Sequence, residues 1–204
     1  MHSLQLHNTY LLMRHAQSKA NHMHIIVSNS EVGVNDYGLT QEGKNEVMKA
    51  IAHCNELKSV EYIYTSDFLR AYETSMIIAG HMNIIHVKFD IRLRERYFGQ
   101  FEGTDSENYQ RIWDMDCRNV NDPVCYDVEP IHTVAKRMIS FLLDCETNHI
   151  NDTILIVSHG DPLQILYTVS IGLPINKFKT ASHFNNAELR LLPSRFTIDE
   201  ELIT

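Results

Sequence analysis

Two imidazoles, two guanidinium groups and a carboxylate stand in this chain where apolar runs end. Arg14 and His15 follow NTYLLM (8–13), Arg70 comes four residues after VEYIYTS (60–66), and His159 and Gly160 close DTILIVSHG (152–160). A phosphoryl group is best held by bidentate guanidinium donors, which Arg14 and Arg70 can supply. A helix starting near Gly160–Leu163 would add backbone amides as a positively polarised rim. One imidazole, His15, can then act as nucleophile and split hydrolysis into two displacements through a phosphohistidine. It must be neutral to do so, and Arg14 and Arg70 disfavour a further positive charge. The second imidazole, His159, would stabilise the transferring oxygens. The departing alkoxide needs a proton, and the same group as a carboxylate can later activate water. Glu95 in RLRERYFGQFEG suits that role, although the residues alone leave Glu102, Asp105 and Glu107 open beside it.

These side chains need elements to bring them together. NTYLLM, VEYIYTS, IIHVKFD (84–90), DTILIVSHG and AELRLL (187–192) read as strands. Val47, Ile51, Cys54 and Leu57 at helical spacing predict a helix over 41–58, started by Thr40. Further helices are predicted over 67–80, 131–148 and from Asp161–Pro162 to about 171. Asp161 is expected as the N-cap of the last, with Pro162 in its first turn. Strands alternating with helices mean a three-layer α/β/α architecture around a mostly parallel sheet. Ligands of such sheets lie beyond the carboxyl ends of the strands, where all three polar clusters emerge. Residues 99–130 break the rhythm with Gly99, Gly103, Pro123, Pro130 and the single tryptophan, Trp113. They read as a partly helical insertion or lid on one domain spanning 1–204.

The chain has 204 residues, 44% of them apolar and 22% charged, as in a globular protein able to bury a real core. Its net charge of −8 argues against nucleic acid as a partner. The same charge means that an anionic substrate must be drawn by a local cluster of cations. MHSLQLHNTYLLM lacks the charged start and long apolar core of a signal peptide, and no apolar run is long enough to cross a membrane. Four scattered cysteines, Cys54, Cys117, Cys125 and Cys145, read as free thiols in a reducing compartment. A cytoplasmic location is expected.

LLMRHAQSKAN, YTSDFLRAYETSMIIA, RLRERYFGQFEG and ILIVSHGDPLQIL, in that order, resemble the successive motifs of the histidine phosphatase superfamily, which has the phosphoglycerate mutase-like fold. GLTQEGKNEV (38–47) and GLP (172–174) resemble its linking segments, so the likeness runs from residue 8 to about 172. The resemblance implies that His15 is the phosphorylated nucleophile and Glu95 the proton donor. It implies a phosphate pocket of Arg14, Arg70 and His159, with Asn21 as a further contact, and neither metal nor cofactor. Two residues depart from the family pattern: Ala16 and Gln17 replace the usual Gly-Glu after the nucleophile. Ala16 requires a turn that accepts a β-carbon, and Gln17 is expected to alter substrate contacts slightly.

Cofactor-dependent mutases of the family carry Tyr three residues after the acid and a Lys beyond it, where this chain has Phe98 and Ser106. Their paired carboxylate-clamping arginines fall at Asp122 and Pro123. Without a hold on a second anion, water should win. The resemblance therefore implies a metal-independent phosphatase acting on a small phosphorylated metabolite. A phosphoglycerate mutase and a non-catalytic phosphate-binding module are the alternatives. Arg92, Arg94 and Arg96 alternate around Glu95, either as a solvated stripe or with Arg96 reaching a second substrate anion. His22 and His24 have no third ligand at metal spacing and read as loop residues. Trp113 either lines a lid or packs the insertion.

Overall fold

Side-chain alternation along the strands decides the layers. The computed structural model describes residues 2–118, 126–180, 182–199 and 202. Its strands are β1 (His2–Gln5), β2 (Thr9–Arg14), β3 (Tyr62–Thr65), β4 (His86–Phe89), β5 (Thr153–Ser158), β6 (Leu189–Leu191) and β7 (Arg195–Ile198). Tyr10 and Leu12 of β2, with Ile154 and Ile156 of β5, pack into one apolar cluster. Leu11 and Met13, with Leu155 and Val157, pack into another on the opposite face. A period of two buried on both faces is what a central parallel sheet covered by helices demands.

The covering helices are α3 (Gln41–His53), α4 (Leu69–Met82), α6 (Ile131–Asn148) and α7 (Gly160–Ser170). The first two close the Leu11 face, and the last two close the Tyr10 face. Short helices α1 (Lys19–His22) and α2 (Ser30–Gly33) follow β2, and α5 (Asn108–Arg118) lies in the segment read as an insertion. That segment has a small core of its own, built from Ile26, Phe98, Phe101, Ile112 and Val128. Each fully buried aliphatic or aromatic side chain contributes roughly 1.5–3 kcal/mol.

The five-stranded sheet runs β4-β3-β5-β2-β6, parallel except for β6, which is antiparallel to β2. This is the predicted three-layer α/β/α arrangement. A second, two-stranded antiparallel sheet of β1 and β7 was not expected. Its strands are four residues each and pair across nearly the whole chain, so neither carries a local signal.

Two element boundaries differ from expectation. The helix predicted over 41–58 stops at His53, because Cys54 takes an extended backbone and a separate 3-10 turn over Asn55–Ser59 buries Leu57. Its start is as expected, with the Thr40 hydroxyl accepting from the Gly43 amide. Asp161 does not cap α7: the cap position is His159, and the Asp161 carboxylate turns to other partners. Gly43 has a specific role, since a β-carbon there would stand 2.1 Å from the Gln17 carbonyl oxygen. The loop after His15 can lie against the first turn of α3 only because that side chain is missing.

Candidate functional site

Parallel pairing places the strand ends side by side, with Arg14 opposite Ser158 and Thr65 opposite Val157. Beyond them the His15 amide donates to the Ser158 carbonyl at 3.0 Å, and the Ser66 amide donates to that of Val157 at 3.0 Å. The three clusters of the sequence therefore meet at one edge. The rings of His15 and His159 stand 5.1 Å apart, centroid to centroid, with their planes at 64°.

His15 Nδ1 lies 2.8 Å from the Ala16 carbonyl oxygen. Only an N–H can face a carbonyl, so Nδ1 carries the hydrogen and Nε2 carries the lone pair. Arg70 Nε donates to that lone pair at 3.0 Å. Burial, and then the charges of Arg70 and Arg14, hold the His15 pKa well below its usual 6.5. The ring is a neutral base with its free nitrogen turned to a guanidinium. Ala16 adopts no left-handed backbone, so the turn accepts its β-carbon.

His159 is fixed from the other side. Its Nε2 lies 2.8 Å from Ser66 Oγ, which itself accepts from the Phe68 amide at 3.3 Å. Among the described residues His159 Nε2 is the acceptor within reach of the buried Ser66 hydroxyl, so the arrangement that satisfies that hydroxyl puts the ring hydrogen on Nδ1. Among the described residues, His159 Nδ1, Arg14 Nε and Arg70 Nη1 are buried without a partner. A buried unsatisfied donor costs about 1–3 kcal/mol. Three such donors around one imidazole suit an incoming anion with several acceptor oxygens. Burial, Arg70 and His15 also hold His159 neutral, well below its usual value.

A cavity of about 100 Å³ adjoins this group, walled in part by Arg14, Asn21, Arg70, Glu95, Gly160 and Asp161. Tyr109, Trp113, Lys179, His183 and Phe184 also line it. His15 and His159 are not wall residues; at 2% and 0% exposed they lie buried behind the arginines. Glu95 accepts from the Arg96 amide at 2.9 Å. Burial and the neighbouring Asp161 charge push its pKa up from 4.5, against Arg70 and Arg14. Such a carboxyl can hold a proton where a carboxylate would ordinarily be ionised. Asn21 spends its side-chain oxygen in a capping box with Ser18, leaving Nδ2 as its donor towards the cavity. Gly160 opens α7 beside Arg14, where its backbone can approach a ligand.

The structure thus gathers His15, His159, Arg14, Arg70, Glu95, Asn21 and Gly160 at one place. Both readings of the Arg92, Arg94 and Arg96 series are corrected. Arg92 pairs with Asp90 and Asp144, and Arg94 pairs with Asp67. Arg96 is wholly buried and grips Asp116 through two bonds of 2.6 and 2.9 Å, so it is neither solvated nor free for a substrate. Gln17 is corrected too, because its side-chain oxygen accepts from the Thr40 hydroxyl at 2.6 Å, away from the cavity wall. Phe98 is fully buried in the small core around Ile112, while Asp122 and Pro123 lie outside the described residues. His22 and His24 are exposed, and among the described residues no three His, Cys, Asp or Glu side chains cluster as a metal site. Trp113 does line the site, donating from Nε1 to Asp161 Oδ2 at 3.1 Å. The sequence reading missed Asp161 and Lys179 as wall residues. The strand-end position of SHGDP was a signal for the first, whereas Lys179 sits in a loop without a pattern.

The family model of the histidine phosphatase superfamily (branch 1) matches residues 10–197, and the chain belongs to that superfamily. Phosphoserine phosphatase 1 of Hydrogenobacter thermophilus is 28% identical over 172 residues, which cover 82% of this chain and 78% of the relative. A phosphoglycerate mutase of Schizosaccharomyces pombe is 26% identical over 179 residues, covering 81% of each. Bacillus stearothermophilus YhfR shares the fold with a TM-score of 0.75, at 24% identity over 90% of both chains. A mycobacterial glucosyl-3-phosphoglycerate phosphatase shares it at 0.71, with 19% identity over 90% of this chain and 88% of that one. No helix among the described residues is long and apolar enough to cross a membrane.

Proposed function

We propose that the chain hydrolyses a small phosphorylated metabolite through a phosphohistidine on His15, with arginines rather than a metal ion supplying the countercharge. The convergence of three unpartnered buried donors, Arg14 Nε, Arg70 Nη1 and His159 Nδ1, around a neutral imidazole carries this reading. The phosphoryl oxygens take those donors and the α7 amides. His15 Nε2 attacks phosphorus, the bond to the ester oxygen breaks, and Glu95 protonates the departing alkoxide. Glu95, now a carboxylate, takes a proton from water, whose oxygen attacks the phosphohistidine. Inorganic phosphate leaves, and both residues return to their starting forms.

Hydrolysis is favoured over mutase chemistry because Asp122 and Pro123 stand where mutases carry paired carboxylate-clamping arginines, and Phe98 and Ser106 stand where they carry Tyr and Lys. The complete set of nucleophile, acid and cations speaks against a merely phosphate-binding module. We read the chain as one domain in which 99–130 covers the site. A reducing cytoplasm suits Cys54, Cys117 and Cys145, which are free thiols.

Rapid quenching of the purified protein with radiolabelled phosphomonoesters tests the reading. Wild type should carry acid-labile, alkali-stable label, and His15→Ala should carry none and turn over no substrate. Equal hydrolysis by His15→Ala overturns the mechanism.

A further inference from the structure

The cavity wall holds a pair of opposite charges that the chemistry above does not use. Lys179 Nζ donates to Asp161 Oδ1 at 2.8 Å and stands 3.4 Å from the centroid of the Trp113 ring. Both side chains are nearly buried, 11% and 4% exposed, yet both face the cavity. Arg96 stands 3.4 Å behind Asp161, but its charge is already answered by the two-bond grip on Asp116.

The charges facing the cavity can therefore be compared with those of a substrate. Three cations, Arg14, Arg70 and Lys179, face it against one fixed carboxylate, Asp161. Glu95 also faces it, and burial with the Asp161 charge favours its protonated form. A phosphate monoester brings about two negative charges near neutrality. Arg14 and Arg70 answer those two. Lys179 is answered by Asp161 before any ligand arrives. An alcohol part bearing a further carboxylate or phosphate would find no uncommitted cation and would meet the Asp161 charge in a place shielded from water. Repulsion is strongest in such a place. An uncharged polyol, or a group carrying one ammonium and one carboxylate, finds instead the two spare N–H bonds of Lys179 and the remaining lone pairs of Asp161.

We propose that Asp161 and Lys179 form a specificity-determining pair that selects phosphate monoesters whose alcohol part has no net charge and rejects those bearing a third negative charge. This rests on the cavity being the site of phosphomonoester hydrolysis.

Three substrates of nearly equal shape test it: glycerol 3-phosphate, phosphoserine and 3-phosphoglycerate, whose alcohol parts are neutral, zwitterionic and anionic. Wild-type kcat/KM should favour the first two over the third by about ten-fold or more, the scale of a buried like-charge contact. Asp161→Asn should close that gap by about ten-fold, and Lys179→Met should widen it. Asp161→Asn also removes a charge that keeps Glu95 protonated, but that loss falls on all three substrates alike and leaves the ratio untouched. Equal wild-type activity on the three, or variants that slow all three by one factor, overturns the proposal. Lys179→Met, which alters neither the Asp161 carboxylate nor the Arg96–Asp116 pair behind it, keeps the test decisive if Asp161→Asn does not fold. A wild type inactive on the three and on p-nitrophenyl phosphate sinks the functional reading and this one with it. Turnover of p-nitrophenyl phosphate with unmoved ratios sinks this one alone.

Discussion

Arg70 Nε donates its hydrogen to His15 Nε2 across 3.0 Å, so the lone pair that the proposed mechanism sends to phosphorus is occupied at rest. Arg70 Nη2 meanwhile holds the Val27 carbonyl at 2.9 Å, and Nη1 has no partner. A phosphate dianion offers Arg70 charge-assisted bonds about twice as strong as a bond to a neutral imidazole. In the proposed mechanism, binding would therefore free the nucleophile in the act of positioning its target.

Replacing Arg70 with Gln should separate these two effects. Inhibition by inorganic phosphate should weaken by about 10- to 100-fold, the scale of a lost hydrogen bond to a charged group. The His15 pKa, followed by NMR, should rise towards 6.5, because a nearby cation is gone while burial remains. Unchanged phosphate inhibition would remove Arg70 from the anion site.

Glu95→Gln should cost on the order of 10²- to 10⁴-fold for alkyl phosphates, whose alkoxides need a proton to leave. Activated aryl phosphates should lose far less in the step that forms phosphohistidine. The sign of the pH effect follows from the raised pKa: wild-type activity on alkyl esters declines as Glu95 loses its proton above 4.5. The Gln variant should lack that alkaline limb. Equal losses for both substrate types in single-turnover measurements would reject Glu95 as the acid.

Burial of two neutral imidazoles also shapes stability. His15 and His159 are both depressed below 6.5 in the folded chain, so at mildly acidic pH the unfolded chain binds protons that the folded one refuses. Their stabilising contribution is complete above about 6.5 and is lost as pH falls. Glu95 runs the other way, stabilising at low pH and losing that contribution as pH rises through its raised folded value. Urea midpoints should therefore fall between pH 7.5 and 5.5. The double variant His15→Ala, His159→Ala should show a shallower slope over the same range.

What the sequence disclosed depended on whether a signal was local. The strands β2, β3 and β5 are short apolar runs ending in polar residues, so both the elements and the chemistry at their ends could be read directly. The partners of Arg92, Arg94 and Arg96 could not, because Asp144, Asp67 and Asp116 lie 52, 27 and 20 residues away. Alternation suggested a stripe, whereas each arginine is claimed by acids of its own, Arg92 by the nearby Asp90 as well as by Asp144. The expected Asp161 cap failed for a related reason. Lys179 and Trp113 compete for its carboxylate from elsewhere in the chain, and sequence spacing records no such competition. Pairing of β1 with β7 likewise joins the two ends of the chain and leaves no pattern in either strand.

The Arg96–Asp116 pair carries the last prediction. Both side chains are wholly excluded from water, and Asp116 belongs to α5, the helix that also supplies Tyr109 and Trp113 to the cavity wall. Removing one partner strands a buried charge, so Asp116→Leu or Arg96→Met should each cost about 3–5 kcal/mol in urea denaturation. Replacing both with apolar residues, Arg96→Met with Asp116→Leu, removes the stranded charge and should recover most of that loss. The coupling energy from the cycle should be large and favourable. The double variant should nonetheless bind phosphate monoesters less tightly than wild type, because Asp161 loses the guanidinium at its back and α5 loses the tie that holds Trp113 over Lys179. A stable double variant with unaltered KM would show that the pair holds the fold and leaves the cavity wall to other contacts.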